Sequence, residues 1–222
     1  GGTFSPGTVG PVGFGTPGAG DNNAATPEFP GTVTSTNLAA MPIDSNLSGI
    51  DAGDIVRFAV VVENTGSSRL GAFDVALRDT IPAGFAVPGS GLKLSVTDGT
   101  GTALPFTDLG GGLFGSGLML DDPGATAATG DGSNGGALDA FNATSGRNIV
   151  IVTYDLVLAS TVSPGSNLTN TATLLSYAGA EGAANHIPAG LTDTAVVTVA
   201  QPAVSKIITA TNQGHTTGNN VA

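Results

Sequence analysis

The sequence predicts an all-β protein, an antiparallel β-sandwich, on three observations. Six or more runs alternate apolar and polar residues with period two, the signature of strands that bury one face. Glycine and proline, 35 and 13 of 222 residues, cut the text throughout. No stretch keeps helical amphipathic spacing for more than a turn or two. The apolar fraction of 40% is too high for a solvated coil. Turns, rather than disorder, therefore account for the glycine and proline, and the length suits one large domain or two small ones.

The elements follow in order. Residues 1–30 (GGTFSPGTVGPVGFGTPGAGDNNAATPEFP) hold single apolar residues between Gly and Pro, which both disfavour a helix interior. They read as an extended arm that lies on another surface or as a flexible linker. Residues 31–200 read as the sandwich. Its first secure strand begins at Ile55, with Val56, Phe58, Val60 and Val62 on one face, Arg57 and Glu63 on the other, and Asn64-Thr65-Gly66 as the turn. A second strand falls at about 70–79 and ends at Asp79-Thr80-Ile81-Pro82-Ala83-Gly84, where proline lacks a ladder donor. Leu92, Leu94 and Val96 form a third. Val150, Val152, Tyr154, Leu156 and Leu158 form the longest apolar face, followed by runs at 168–176 and 195–199. Between them, 98–147 is a long Gly-rich insertion. A structureless loop of that length is unfavourable inside a domain, so its apolar residues from Leu104 to Leu120 predict short strands or a hairpin covering one end of the sandwich, with 125–136 as an exposed tip.

Charge excludes other classes. The net charge is −11, and the six basic residues do not cluster, which argues against nucleic-acid backbones and anionic membrane surfaces. No apolar run approaches the ~18 residues of a membrane helix, so no membrane insertion is expected within this segment. With no cysteine there is no disulfide framework, thiolate metal site or Cys nucleophile. The chain begins with Gly and reads as a piece of a longer, processed polypeptide.

Four motifs occur in a fixed order: Gly53-Asp54-Ile55-Val56-Arg57-Phe58 leading to Asn64-Thr65-Gly66; Asp79-Thr80-Ile81-Pro82-Ala83-Gly84; Pro164-Gly165-Ser166; and Leu168-Thr169-Asn170-Thr171-Ala172. In this order they resemble the immunoglobulin-like tandem repeat of large bacterial and archaeal surface proteins. The resemblance covers about 51–199 and implies an immunoglobulin-like sandwich acting as a structural module of filaments, stalks or surface layers. Related fimbrial repeats join a Lys to an Asn beside a buried acid. On that pattern Asn170 takes the Asn position and Asp79 lies near the acid, but Phe29 to Ile50 contains no lysine, so the resemblance implies a core Asn without its cross-link. Lys206, in Pro202-Ala203-Val204-Ser205-Lys206-Ile207-Ile208-Thr209, sits in what resembles the first strand of a following repeat or an exchanged strand spanning 201–222. Lys206 and Asn170 are thus cross-link candidates that are not expected to pair within one copy.

Other chemistry is sparse. His186 and His215 lie far apart in loop-like text and lack the partners of a triad or zinc site. Asp121, Asp122, Asp131 and Asp139, with Asn and Gly between them, offer the oxygen ligands that calcium prefers, although the spacing is not that of an EF-hand. No other cofactor is expected. The sequence therefore predicts a non-enzymatic, extracellular or cell-surface filament repeat whose partners are neighbouring copies, joined head-to-tail through terminal segments. The alternative is a calcium-dependent or glycan-binding adhesin. The lack of Trp and the presence of only Tyr154 and Tyr177 disfavour glycan stacking.

Overall fold

The computed structural model describes residues 2–7, 10–122, 135–209 and 211–212. In chain order these form β1 (Thr3–Ser5), α1 (Ser35–Ala40), β2 (Asn46–Ile50), β3 (Ile55–Glu63), β4 (Phe73–Thr80), β5 (Phe85–Ala86), β6 (Ser95–Asp98), β7 (Phe106–Asp108), β8 (Leu118–Leu120), β9 (Ile149–Leu158), β10 (Asn167–Ala178) and β11 (Leu191–Val199). One sheet runs β1-β2-β11-β10-β4-β8-β7. In the other, β9 is central, with β3 on one side and β5 and β6 on the other. Every strand pair is antiparallel except β2 with β11. Sheet β11-β10-β4 facing sheet β3-β9-β6 reproduces the G-F-C over B-E-D order of an immunoglobulin-like sandwich.

The central strand explains how the layers stack. Val150, Val152, Tyr154, Leu156 and Leu158 of β9 face the main core with Val56 and Phe58 of β3 and Val75 and Leu77 of β4. The alternate residues Ile149 and Ile151 face the opposite way, into a second cluster with Phe29 and Val33, flanked by Val12 and Phe14. A strand buried on both faces needs apolar residues at consecutive positions, which is what Ile149-Val150-Ile151-Val152 supplies. Residues 10–33 are the outer layer of this second cluster, so the arm lies across the back of its own sandwich.

The Gly-rich insertion returns to the sheet repeatedly. β7 and β8 form the hairpin read from the sequence, and β8 pairs with β4, extending the larger sheet by two strands. Farther on, Leu138 bridges to Ala72. Gly99 and Gly146 stack backbone on backbone beneath Val33; a Cβ on Gly99 would lie 2.2 Å from the Val33 carbonyl oxygen, so side chains are excluded there. Most of the 125–136 tip lies outside the described residues, but its last two, Gly135 and Gly136, are buried rather than exposed. The third predicted strand starts only at Ser95. Lys93 takes a left-handed φ of 51° and donates its N–H to Asn22 Oδ1, which breaks the extended run that Leu92 would otherwise begin.

Candidate functional site

Three groupings of charged or hydrogen-bonded side chains are candidates for function among the described residues. The first sits inside the core. Asp79 at the end of β4, Asn170 on β10 and Tyr154 on β9 are all buried, and the tyrosine is wholly enclosed. The Tyr154 hydroxyl donates to Asp79 Oδ2 at 2.7 Å, and Asn170 Nδ2 donates to Asp79 Oδ1 at 2.8 Å and to the Thr80 carbonyl at 3.2 Å. Phe58 stacks on the Tyr154 ring at 5.5 Å and Phe114 meets it edge-on at 5.2 Å, so the rotamer is fixed by packing. Burial holds the Asp79 carboxyl above the usual range despite the hydrogen bonds from Tyr154, Thr80 and Asn170, which oppose the shift. Burial, followed by the nearby Asp79, pushes the Tyr154 phenol up, so it remains a donor.

This arrangement brings together the acid and amide that the fimbrial resemblance singles out. The third partner is a phenol, not an amine. Lys93, the only lysine of residues 31–200, donates its Nζ to the Gly20 carbonyl at 2.9 Å under the arm. Lys206 is exposed in the tail. As it stands, the grouping is a hydrogen-bonded clamp that ties β9 of one sheet to β4 and β10 of the other.

The second grouping fastens the arm. Arg57 and Asp155 oppose each other in the β3–β9 ladder, with Arg57 Nε 2.7 Å from Asp155 Oδ1 and Nη2 3.0 Å from Oδ2. Nη1 reaches Glu28 at 2.8 Å and the Phe14 carbonyl at 3.0 Å, and Nη2 also reaches the Ala19 carbonyl. The Gly18 N–H donates to Asp155 Oδ2. The Arg57 and Asp155 side chains are 4% and 0% exposed, so this bidentate pair is desolvated and its remaining donors go to the arm. Asp155 and Glu28 raise the Arg57 pKa by more than burial lowers it. Gly20 lets the Glu28 carboxylate approach, since a Cβ there would fall 2.6 Å from Glu28 Oε1. Sequence reading placed Arg57 only on the polar face of its strand. The missed signal is that Arg57 and Asp155 sit on strand faces that otherwise carry Ile55, Ala59 and Val61 of β3 and Ile149, Ile151 and Val157 of β9, with Glu63 and Thr153 as the other polar residues.

The third grouping is acidic. Asp74, Asp122 and Glu181 offer carboxylate oxygens within 4.8 Å of one another. The Asp122 carboxyl is pushed up to about 6, first by burial and then by Glu181, against the N–H donors of Asp74 and Ala137. Of the four carboxylates read from the sequence as calcium ligands, only Asp122 belongs to this trio. Asp121 accepts from the Thr107 hydroxyl, and the Asp139 backbone pairs with Arg147 and Asn64. Asp131 lies outside the described residues, as does His215. His186 packs its ring 5.3 Å from Tyr177 on the surface. No nucleophile–base pair of the Ser/His/Asp kind occurs among the described residues.

No protein-family model matches the chain, and no curated protein matches its sequence. Among solved structures, the chain is similar to the pilus backbone RrgB of Streptococcus pneumoniae at 18% identity, with 60% of this chain and 44% of that chain covered and a TM-score of 0.39. It is also similar to the T6 backbone pilin of serotype M6 Streptococcus pyogenes, at 12% identity, 77% and 34% coverage and a TM-score of 0.38. A third similarity is to a family 123 glycoside hydrolase of Clostridium perfringens, at 11% identity, 90% and 27% coverage and a TM-score of 0.34. The chain spans less than half the length of each of these proteins. Pilins and a hydrolase resemble it alike, so nothing about activity follows from these similarities. No helix among the described residues is long and apolar enough to cross a membrane.

Proposed function

We propose that the chain is a non-enzymatic structural repeat of an extracellular or cell-surface filament, joined head-to-tail to neighbouring copies through its C-terminal segment, since residues 10–33 of the other terminus lie on their own sandwich. The observation that carries this reading is the tail. Residues 202–209 are exposed throughout, with Val204 97% and Ile208 80% accessible, and no described residue hydrogen-bonds to them. The exposed apolar side chains of this extended segment are costly to leave in water, and its solvated backbone groups are free to pair with a sheet edge of a second protein surface. The ordered repeat motifs and the use of the buried acid, amide and phenol as a clamp support the same reading.

The test is assembly of the purified chain without added ligand, followed by sedimentation and electron microscopy. Concentration-dependent linear oligomers are expected. A chain that remains monomeric at millimolar concentration and binds a glycan saturably would instead make it an adhesin.

The second reading, a calcium-dependent adhesion domain, rests on the Asp74–Asp122–Glu181 trio. On that reading millimolar Ca²⁺ raises the melting temperature relative to chelator, because a ligand bound only by the folded state stabilises it. Asp122→Asn removes the difference. An identical melting curve in both conditions excludes the trio as a calcium site.

A further inference from the structure

β3 is hydrogen-bonded on one side only. Its nine residues pair with β9, and no strand among the described residues pairs with its outer edge. The ladder is bracketed by the Leu158 N–H donating to the Asp54 carbonyl and the Asn64 N–H donating to the Asn148 carbonyl. In antiparallel register this makes the even-numbered residues the hydrogen-bonded pairs and turns the N–H and C=O groups of Arg57, Ala59 and Val61 away from β9. Along this edge run two clefts, of about 480 and 570 Å³, which share Val61 and Ile43 in their walls. The first reaches between the sheets. Its walls include core-facing Phe58 and Val60 from β3, Ala195 and Val197 from β11, and the amide-bearing Asn170 of the clamp. In immunoglobulin order the place beside β3 belongs to the first strand of the sandwich. Here the residues that should supply that strand go elsewhere: Val33 packs behind the sheet against Ile149, and β2 sits beside β11.

We propose that this groove is the acceptor for residues Pro202–Thr209 of a second copy, which enters as an added strand along the outer edge of β3. The inference rests on the filament reading above and names the surface through which it works. Three features select this occupant. The eight residues span about 26 Å when extended, against about 30 Å for the nine of β3. Val204, Lys206 and Ile208 share one face of the segment, so two apolar side chains flank the lysine where that face turns into the cleft, while the backbone pairs with Arg57, Ala59 and Val61. The one charge in the segment is Lys206, and the cleft carries Asp44 and Asp193 in its walls, while its one basic residue, Arg57, is already paired with Glu28 and Asp155. A segment of one copy entering a different surface of the next is a heterologous contact and propagates into an open filament.

The chain contains no cysteine, so introduced thiols report unambiguously. Full-length Ala59→Cys carrying a size tag is mixed with untagged full-length Ser205→Cys under mild oxidation. The control replaces the first partner by tagged Thr107→Cys on β7, the outer strand of the opposite sheet. Melting curves of each variant establish that it is folded. The expected result is a mixed disulfide at least tenfold more abundant for the 59–205 pair than for the 107–205 pair, with the A59C/S205C double variant forming a ladder. Oligomers in which 107–205 equals or exceeds 59–205 overturn the groove and leave the filament reading standing. A double variant that closes a disulfide within a single chain overturns the exchange between copies. Absence of both cross-links in a chain that sediments as a monomer at millimolar concentration overturns the groove and the filament reading together.

Discussion

The two terminal segments are both extended and studded with apolar residues, yet one is held and the other is not. Residues 10–30 place Val12, Phe14 and Phe29 against Ile149 and Ile151 and receive the donors of Arg57. Residues 202–209 have no such contact, although they contain less glycine and more β-branched residues. What decides the difference is therefore not the propensity of the segment but the presence of a matching surface: a second apolar face on β9 and a buried cation with donors to spare. The arm's surface is built into its own fold. Among the described residues, no surface covers the tail.

The most severe way to break this comparison is Arg57→Ala. It leaves Asp155 and Glu28 buried without their counter-charge and should cost about 3–5 kcal/mol. The expected readouts are a large fall in melting temperature and new protease cleavage within 10–30, so that arm and tail become equally accessible. A variant in which the arm stays protected would show that the apolar contacts hold it alone. A milder change, Tyr154→Phe, separates global from local stability. It removes one hydrogen bond from Asp79 but keeps those from Asn170 and Thr80, for an expected loss of about 1–2 kcal/mol by chemical denaturation. The arm should remain protected under native conditions, because its fastening does not pass through the clamp.

Acidification from pH 7 to pH 5 bears on the acidic trio and the clamp and should give an effect of a few degrees. The folded-state pKa of Asp122 lies near 6, above its ordinary value of 3.8, so the folded chain takes up this proton before the unfolded chain does. Its contribution to stability is least favourable above about pH 6 and improves as pH falls toward 4, where the unfolded state becomes protonated as well. Asp79 is shifted in the same direction. The melting temperature should therefore rise between pH 7 and pH 5, and Asp122→Asn should flatten the slope. A fall over that range would contradict the assignment. The smallest expected effect is that of Val204→Ser combined with Ile208→Ser, which should change the domain's unfolding free energy by no more than about 0.5 kcal/mol while abolishing assembly.

Much of this fold was legible from period two alone. β3, β4, β9, β10 and β11 fall where alternation placed them, because each buries one face in the main core and the pattern records it directly. Asp79 and Asn170 were legible as a pair through the motif resemblance, since both lie at inward positions of neighbouring strands. The role of Tyr154 was not, because an aromatic in an apolar run reads as packing whether or not its hydroxyl has a partner. The arm's anchor escaped for a different reason. Glu28 and Phe14 are separated from Asp155 by more than a hundred residues, and their own surroundings carry no periodicity. The uninterrupted Ile149-Val150-Ile151-Val152 run was the available sign that β9 has something on both sides. The acidic trio escaped because Glu181 reaches Asp74 and Asp122 from a separate loop, whereas the aspartates near 121–139 merely cluster in sequence.

The parallel placement of β2 beside β11 gives the molecule a mechanical character. Thr3 pairs with Ser48, and Ser48 with Thr198, so β1 begins at the same end of the sheet at which β11 finishes. Tension entering at Thr3 and leaving at Val199 would peel β1 first, one hydrogen bond after another, at low force. Once the arm had been stripped from Arg57, residues 6–45 would add on the order of 130 Å of reach. The load would then pass to Asn46, at the far end of β2 from Val199, and the β2–β11 ladder would be pulled lengthwise with its bonds strained together. The domain would thus yield in two stages, a compliant one that lengthens the thread and a stiff one that guards the core.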